Sequence, residues 1–304
     1  MSIVVQRERL KLVTLAGALL AFSAGSAAAA PFLGSANDFV VLGLNNGSVI
    51  INSATSIEGD VGYSSGVTSG TNQKIDSFVG SAFVHSNVND FTYTAATYAP
   101  TGGIHPVPPI PPGSDASVDA KLDQANADVA QAIIDIGTLA IGLSLGAIDD
   151  DDNPTVNAMN GLDETNVVSI SSLNVKEDTF TIKGDAGDVF VFIVSGNWDW
   201  ASSEIVLDGV DLDNVLFYFS GASSVKFSKE ETVFAGTIFA PIGSVEYHNP
   251  ATFTGRIIAQ DIDLHSDFNI SAPASQEVIV PPALSMFGLS LLALGVVVRR
   301  RRTH

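Results

Sequence analysis

The sequence predicts an all-β solenoid with one long α-helix packed along its side. Three observations carry that reading. Short apolar runs separated by Gly, Asn and Ser fill residues 32–91 and 167–270. Strand-like segments in the second region echo one another at roughly 20-residue intervals, and one Pro-free stretch between the two regions changes to a helical period.

In the first region the runs include Phe39-Val40-Val41-Leu42, Val49-Ile50-Ile51 and Ser77-Phe78-Val79, with turn signals at Asn45-Asn46-Gly47 and Ser64-Ser65-Gly66. Short runs bounded by turn residues read as strands. Gly102 to Gly113 follows as a proline-rich connector.

From Ser117 to about Leu139 apolar residues stand at Val118, Leu122, Val129, Ile133 and Ile136. These spacings place them on one face of a helix, expected over about 117–140, with Ser117 as N-cap and Asp119 in the first turn. A helix with one apolar face has to dock, most simply on the flank of the β-structure. The acidic run Asp149-Asp150-Asp151-Asp152 then reads as a polar loop.

The second region holds three similar stretches: Asp188–Ile193, Asn214–Phe219 and Gly236–Ala240. It also holds two shorter echoes, Phe234-Ala235-Gly236-Thr237-Ile238 and Phe253-Thr254-Gly255-Arg256-Ile257. Self-similarity at this period is the mark of stacked coils, each burying its apolar side against its neighbours. The competing reading, a β-sandwich, would repeat at about 8–12 residues without the Gly-x-Ile echo.

Both ends have the composition of sorting segments. Arg7, Arg9 and Lys11 precede an apolar run from Leu12 to Phe22 and the small residues Ser26 to Ala30. That order is a secretory signal over residues 1–28, to be cut by signal peptidase. At the other end Pro281-Pro282 lead an uncharged stretch, Ala283 to Val298, closed by Arg299-Arg300-Arg301-Arg302. Sixteen helical residues span about 24 Å, shorter than a bilayer core, so the arginines would have to snorkel. The segment 277–304 resembles the PEP-CTERM sorting tails of exopolysaccharide-producing Gram-negative bacteria. That resemblance implies a membrane transpeptidase as partner, but Val280-Pro281-Pro282-Ala283 stands where such tails carry Pro-Glu-Pro. An ordinary tail anchor is the other reading. Either way the domain, residues 29–276, is expected at the cell envelope or outside the cell.

Residues 29–280 keep seven of the 14 basic residues and 32 of the 33 acidic ones, a formal charge of −25. Such a surface repels nucleic acid. Cysteine is absent, which removes thiol catalysis and zinc-thiolate sites and leaves stability to core packing. Other chemistry is weakly signalled. Gly142-Leu143-Ser144-Leu145-Gly146 matches the nucleophile motif of hydrolases but lacks the strand before and helix after that the motif needs. The histidines show no zinc spacing. Glycan cleavage would need two carboxylates converging in a cleft, which no feature marks. No catalysis and no cofactor are expected. Calcium on Asp208, Asp211 and Asp213 or on Asp149 to Asp152 stays open, although neither cluster has a Gly-punctuated loop.

Leu33–Leu42, Ile57-Glu58-Gly59-Asp60-Val61-Gly62, Asp188–Phe192, Asn214–Phe217, Thr232–Ile238 and Ala251–Arg256 together resemble, in this order, the ice-binding-like domain family of bacteria, fungi and algae. The resemblance covers most of residues 33–270. It implies a discontinuous β-helix, with early coils, the helix and then later coils, and a non-catalytic flat face that binds ice or another repetitive surface. Thr232, Thr237, Thr252 and Thr254 lie in the echoing segments and are the candidate ligand-binding residues. An adhesin binding matrix polysaccharide or protein is the alternative, and a glycan-active enzyme the third. Trp198 and Trp200, at i and i+2 on a strand, share one side. If exposed they would suit sugar stacking; the other reading places them in the core. A regular Thr/Ser/Ala face favours ice, an exposed aromatic patch favours adhesion, and a carboxylate-lined cleft favours catalysis.

Overall fold

The computed structural model describes residues 32–272, apart from 53, 70–72, 90, 92–97, 106–114, 151, 160–164, 222, 230–231, 250 and 266, and apart from the side chains of 54 and 55. Among the described residues the chain is mostly β with one α-helix, and every strand pairing is parallel. The strands form three ladders that the chain visits in turn.

The first ladder contains Val189–Val194 and Val215–Phe219, the middle parts of Thr232–Tyr247 and Ala251–His265, the start of Phe39–Asn52, then Asp60–Tyr63 and Ala82–Val84. The second contains Trp198–Ala201 and Ser224–Phe227, followed by the ends of the same three long strands. The third contains Thr179–Lys183, Glu204–Asp208, the starts of Thr232–Tyr247 and Ala251–His265, then Phe268–Ser271, Ala54–Glu58 and Ile75–Val79.

The echoes seen in the sequence are these stacked positions. Phe192 pairs with Phe217, Phe217 with Ile238 and Ile238 with Ile257. The spacing read from Asp188 and Asn214 is one residue off, because Phe190 faces Val215. The Gly-x-Ile echo marks the corner between the third and first ladders. Gly236 and Gly255 take φ values of 130° and 144° there, and a Cβ on Gly255 would overlap the carbonyl oxygen of Gly236. Only glycine lets the two turns stack this closely.

The stack is discontinuous in sequence. Val41 pairs with Ile257 and Ile51 with Leu264, so the coil that closes the C-terminal half is continued by the N-terminal coils. Inside the ladders lies an apolar core rich in stacked rings, among them Phe192–Phe217 at 4.7 Å and Phe227–Tyr247 at 3.8 Å.

The helix α1 spans Ala116–Gly137 and covers the outer side of the first ladder. Its Val118, Leu122, Ala125, Val129, Ala132 and Ile136 pack against Leu42, Val191, Leu216, Tyr218, Phe239 and Ile258. Burying such a face contributes on the order of 1.5–3 kcal/mol per large side chain. The N-cap is Asp115 rather than Ser117: the Asp115 carboxylate accepts from the Ser117 and Val118 amides, so Ser117 is a donor within the first turn. Asp128 accepts from Ser35 N and Oγ at 2.7 and 2.6 Å, and Asp119 from Ser86 N and Oγ at 2.8 and 2.6 Å. The helix is therefore pinned to coils from the beginning of the chain.

Candidate binding face

With the first ladder under α1, the outer sides of the second and third ladders are the two broad surfaces left. They differ sharply in chemistry. On the second, Asp199, Lys226, Glu246 and Asp263 follow one another in register, beside a column of Ser224, Ser244, Asp261 and Ser48. Charged groups hold their hydration shells tightly, so this surface is a poor match for an uncharged crystalline lattice.

The third ladder is smoother. Its inward column, Phe180, Ile205, Phe234, Phe253, Ile270, Ile57 and Phe78, is buried. Alternation then turns the intervening residues outward. One outward column runs Thr179, Glu204, Val233, Thr252, Asn269, Ser56, Ser77. From the Glu204–Val233 pair the register carries a second column through Thr155, Thr181, Val206, Ala235, Thr254, Ser271, Glu58 and Val79. Each column contains a single carboxylate, Glu204 or Glu58. Positions along a column are about 4.8 Å apart and neighbouring columns about 6.6 Å apart. The centre is a shallow depression lined by Ser56, Glu58, Thr252, Asn269 and Ser271, where Ser56 Oγ donates to Asn269 Oδ1 at 2.7 Å.

The four threonines singled out in the sequence divide. Thr252 and Thr254 both stand on this face. Thr232 and Thr237 are each 1 % exposed and face no solvent. Thr232 shares the inward parity of Phe234, and its Oγ1 donates to the Lys229 carbonyl. Thr237 lies past the Gly236 corner and pairs with Leu216, on the helix-covered ladder. The hydroxyl and amide positions of this face that sequence reasoning did not single out are Thr155, Thr179, Thr181, Asn269, Ser271, Ser56 and Ser77. Parity was the available signal: an inward Ile270 or Ile57 fixes the outward direction of its neighbours.

Trp198 and Trp200 do share one side, but it is the inner one. They are 1 % and 0 % exposed, stacked on each other at 5.2 Å, and Trp200 Nε1 donates to the Ser203 carbonyl. Neither can stack on a sugar. The exposed large apolar residues among those described, Val79, Ile134, Ile141, Val233 and Ile242, include no aromatic one.

Of the acidic residues considered for calcium, Asp208 lies 2.6 Å from Lys183 Nζ and Asp213 2.7 Å from Arg256 Nη1. The hydrogen bond from Lys183 to Asp208 raises the lysine pKa. Both carboxylates thus serve as ion-pair partners within the fold. The Gly142–Gly146 motif falls largely in the strand Leu143–Ile148, paired with Thr165–Lys176, and among the described residues no helix directly follows it to make a nucleophile elbow. No described helix is long and apolar enough to cross a membrane. The signal segment 1–28, and the tail with Pro281, Pro282 and Arg299–Arg302, lie outside the described residues, as do most of the proline-rich connector and Asp151.

The described chain is thus a parallel β-stack flanked by one α-helix, with one smooth, largely uncharged outer face. The profile of the ice-binding-like family matches residues 44–268, and the chain belongs to that family. A search of curated proteins found no match. Among solved structures, the fold is shared with a glycosylated ice-binding protein from an Arctic yeast, at 16 % identity and TM-score 0.56 over 84 % of this chain and 99 % of that one. Ice-binding protein 1 of Shewanella frigidimarina matches at 19 % identity and TM-score 0.52, over 82 % and 99 %. The ice-binding protein of Antarctomyces psychrotrophicus matches at 19 % identity and TM-score 0.51, over 80 % and 98 %.

Proposed function

We propose that this chain is an exported, non-catalytic β-solenoid that binds ice through the outer side of its third ladder. The observation that carries the reading is the double column of Thr, Ser, Asn, Ala and Val there, interrupted by one carboxylate in each column. Hydroxyl and amide groups repeated at coil spacing on a rigid sheet hold water at regular positions. Small apolar side chains between them release water at little cost. Binding then rests on many weak registered contacts, with almost no conformational entropy to lose because the stack is already ordered. Three of the solved structures that share the fold are named as ice-binding proteins, which supports ice as the repetitive surface.

Export follows from the composition of residues 1–28, with signal peptidase as the processing partner. The tail at 277–304 holds the domain at the envelope or delivers it to a sorting transpeptidase. The direct test is ice-recrystallisation inhibition by residues 29–276, with Thr252→Tyr and Thr254→Tyr on the face and Ser244→Tyr on the second ladder. The reading expects loss of activity in the first two and retention in the third. Inactivity of the well-folded parent would overturn ice as the ligand and move the search to polysaccharide.

A further inference from the structure

The second ladder carries a cluster that the ice reading does not use. Tyr247 pairs with Leu264, so the next residues on the two coils, His248 and His265, stand side by side on the outer surface. Their rings are stacked with centroids 5.4 Å apart and planes within 19° of parallel. Two residues earlier on each strand, and so on the same outward side, stand Glu246 and Asp263, which also pair with each other. Asp263 Oδ1 lies 2.6 Å from His265 Nε2, and Glu246 Oε2 lies 3.7 Å from His248 Nε2. Two imidazoles and two carboxylates thus form a two-by-two grid on adjacent coils, and both histidines are accessible, at 52 % and 32 % side-chain exposure.

We propose that His248 and His265 form a surface chelate for a divalent cation of the zinc, nickel or copper class, with Asp263 and Glu246 as oxygen donors beside it. The chemistry of the donor set points to these ions, since imidazole favours them over calcium and magnesium. Parallel coils about 4.8 Å apart hold the two side-chain origins at a separation from which both ring nitrogens reach one ion about 2.0–2.1 Å from each, after rotation about the side-chain bonds. Among the described residues no three of these groups already converge on one point, so two nitrogens close the site first and a carboxylate and water complete it. The acidic domain raises the local cation concentration around it.

The test is titration of Zn²⁺ into the full chain carrying no affinity tag, followed calorimetrically, with His248→Ala, His265→Ala and the double variant alongside. One equivalent of Zn²⁺ should bind to the parent, each single variant should weaken that binding by about tenfold or more, and the double variant should abolish it. A tenfold excess of Ca²⁺ should not compete. Zn²⁺ affinity within about twofold of the parent in both single variants, or displacement by Ca²⁺, overturns the proposal by assigning the binding to the general acidic surface, and so does the absence of binding. Both histidines are at the surface, and thermal melts of the metal-free variants matching the parent confirm that folding is not what changed. Face-directed ice assays on the same variants separate this site from the third ladder.

Discussion

Arg256 Nη1 lies 2.7 Å from Asp213 Oδ1, while the Arg256 Nε donates to the Asn37 carbonyl at 2.9 Å. One side chain thereby joins the turn that opens the Val215–Phe219 coil, the Ala251–His265 strand and the segment that enters the first N-terminal strand. It crosses the seam where the two halves of the stack meet. Arg256 is 8 % exposed, so an unpaired Asp213 or an unpaired arginine would be left largely dehydrated. Arg256→Met should cost about 3 kcal/mol of unfolding free energy. Asp213→Asn should cost less, since the amide keeps an acceptor. Urea unfolding of both singles and the double gives the coupling; simple additivity would show that the pair does not hold the seam.

How much of the fold is legible in the sequence depends on distance along the chain. The coils around Phe192, Phe217, Ile238 and Ile257 were legible because each repeats the last at short range. The helix was legible because its period differs from that of its surroundings. The pairing of Val41 with Ile257 left no local trace, since two apolar strands announce burial but not partner. Outward placement was legible where parity was simple, as at Thr252 and Thr254 beside the inward Phe253. It was misread at Thr232 and Thr237, where a threonine in an echo was equated with a threonine on the surface. The corner at Gly236 changes the ladder, so one strand holds both kinds of burial.

The tryptophans give an optical check on the core. With Trp198 packed on Trp200 and Phe217 at 5.1 Å, both indoles are shielded from water. The fluorescence of the native protein should be blue-shifted, poorly quenched by acrylamide, and unchanged on adding exopolysaccharide. Trp198→Ala should lower stability by about 3–5 kcal/mol through the cavity it leaves. Strong quenching in the native state would place the pair outside and restore the sugar-stacking reading.

Acid should loosen the helix from the N-terminal segment. The hydrogen bonds that Asp128 accepts from the Ser35 hydroxyl and amide hold its pKa below the ordinary value of 3.8. A carboxyl depressed by folding contributes stability that is fully present above the unfolded pKa and is lost as pH falls through the folded one. Asp128 therefore adds to the loss of stability below pH 3.8, and Asp128→Asn should remove that share of the acid limb. Melting temperatures from pH 7 to pH 2 provide the measurement. Parallel curves for the two proteins would show that the Ser35 contacts do not differ between protonation states.

The two carboxylates within the double column of the third ladder make a gain-of-function prediction that loss-of-function variants cannot. Glu204 stands between Thr179 and Val233, and Glu58 between Ser271 and Val79. Each interrupts an otherwise uncharged column with a group that resists losing its water against a neutral lattice. Replacing both by threonine puts a strand-favouring residue at an outward position and lengthens the uncharged columns in both directions, so folding should be little affected. The concentration of Glu58→Thr/Glu204→Thr needed to inhibit ice recrystallisation should fall by roughly threefold or more, because dehydrating a carboxylate costs far more than dehydrating a hydroxyl. Asp263→Thr on the second ladder should leave that concentration unchanged. An equal gain from Asp263→Thr would show that net charge, rather than the third-ladder surface, sets the activity.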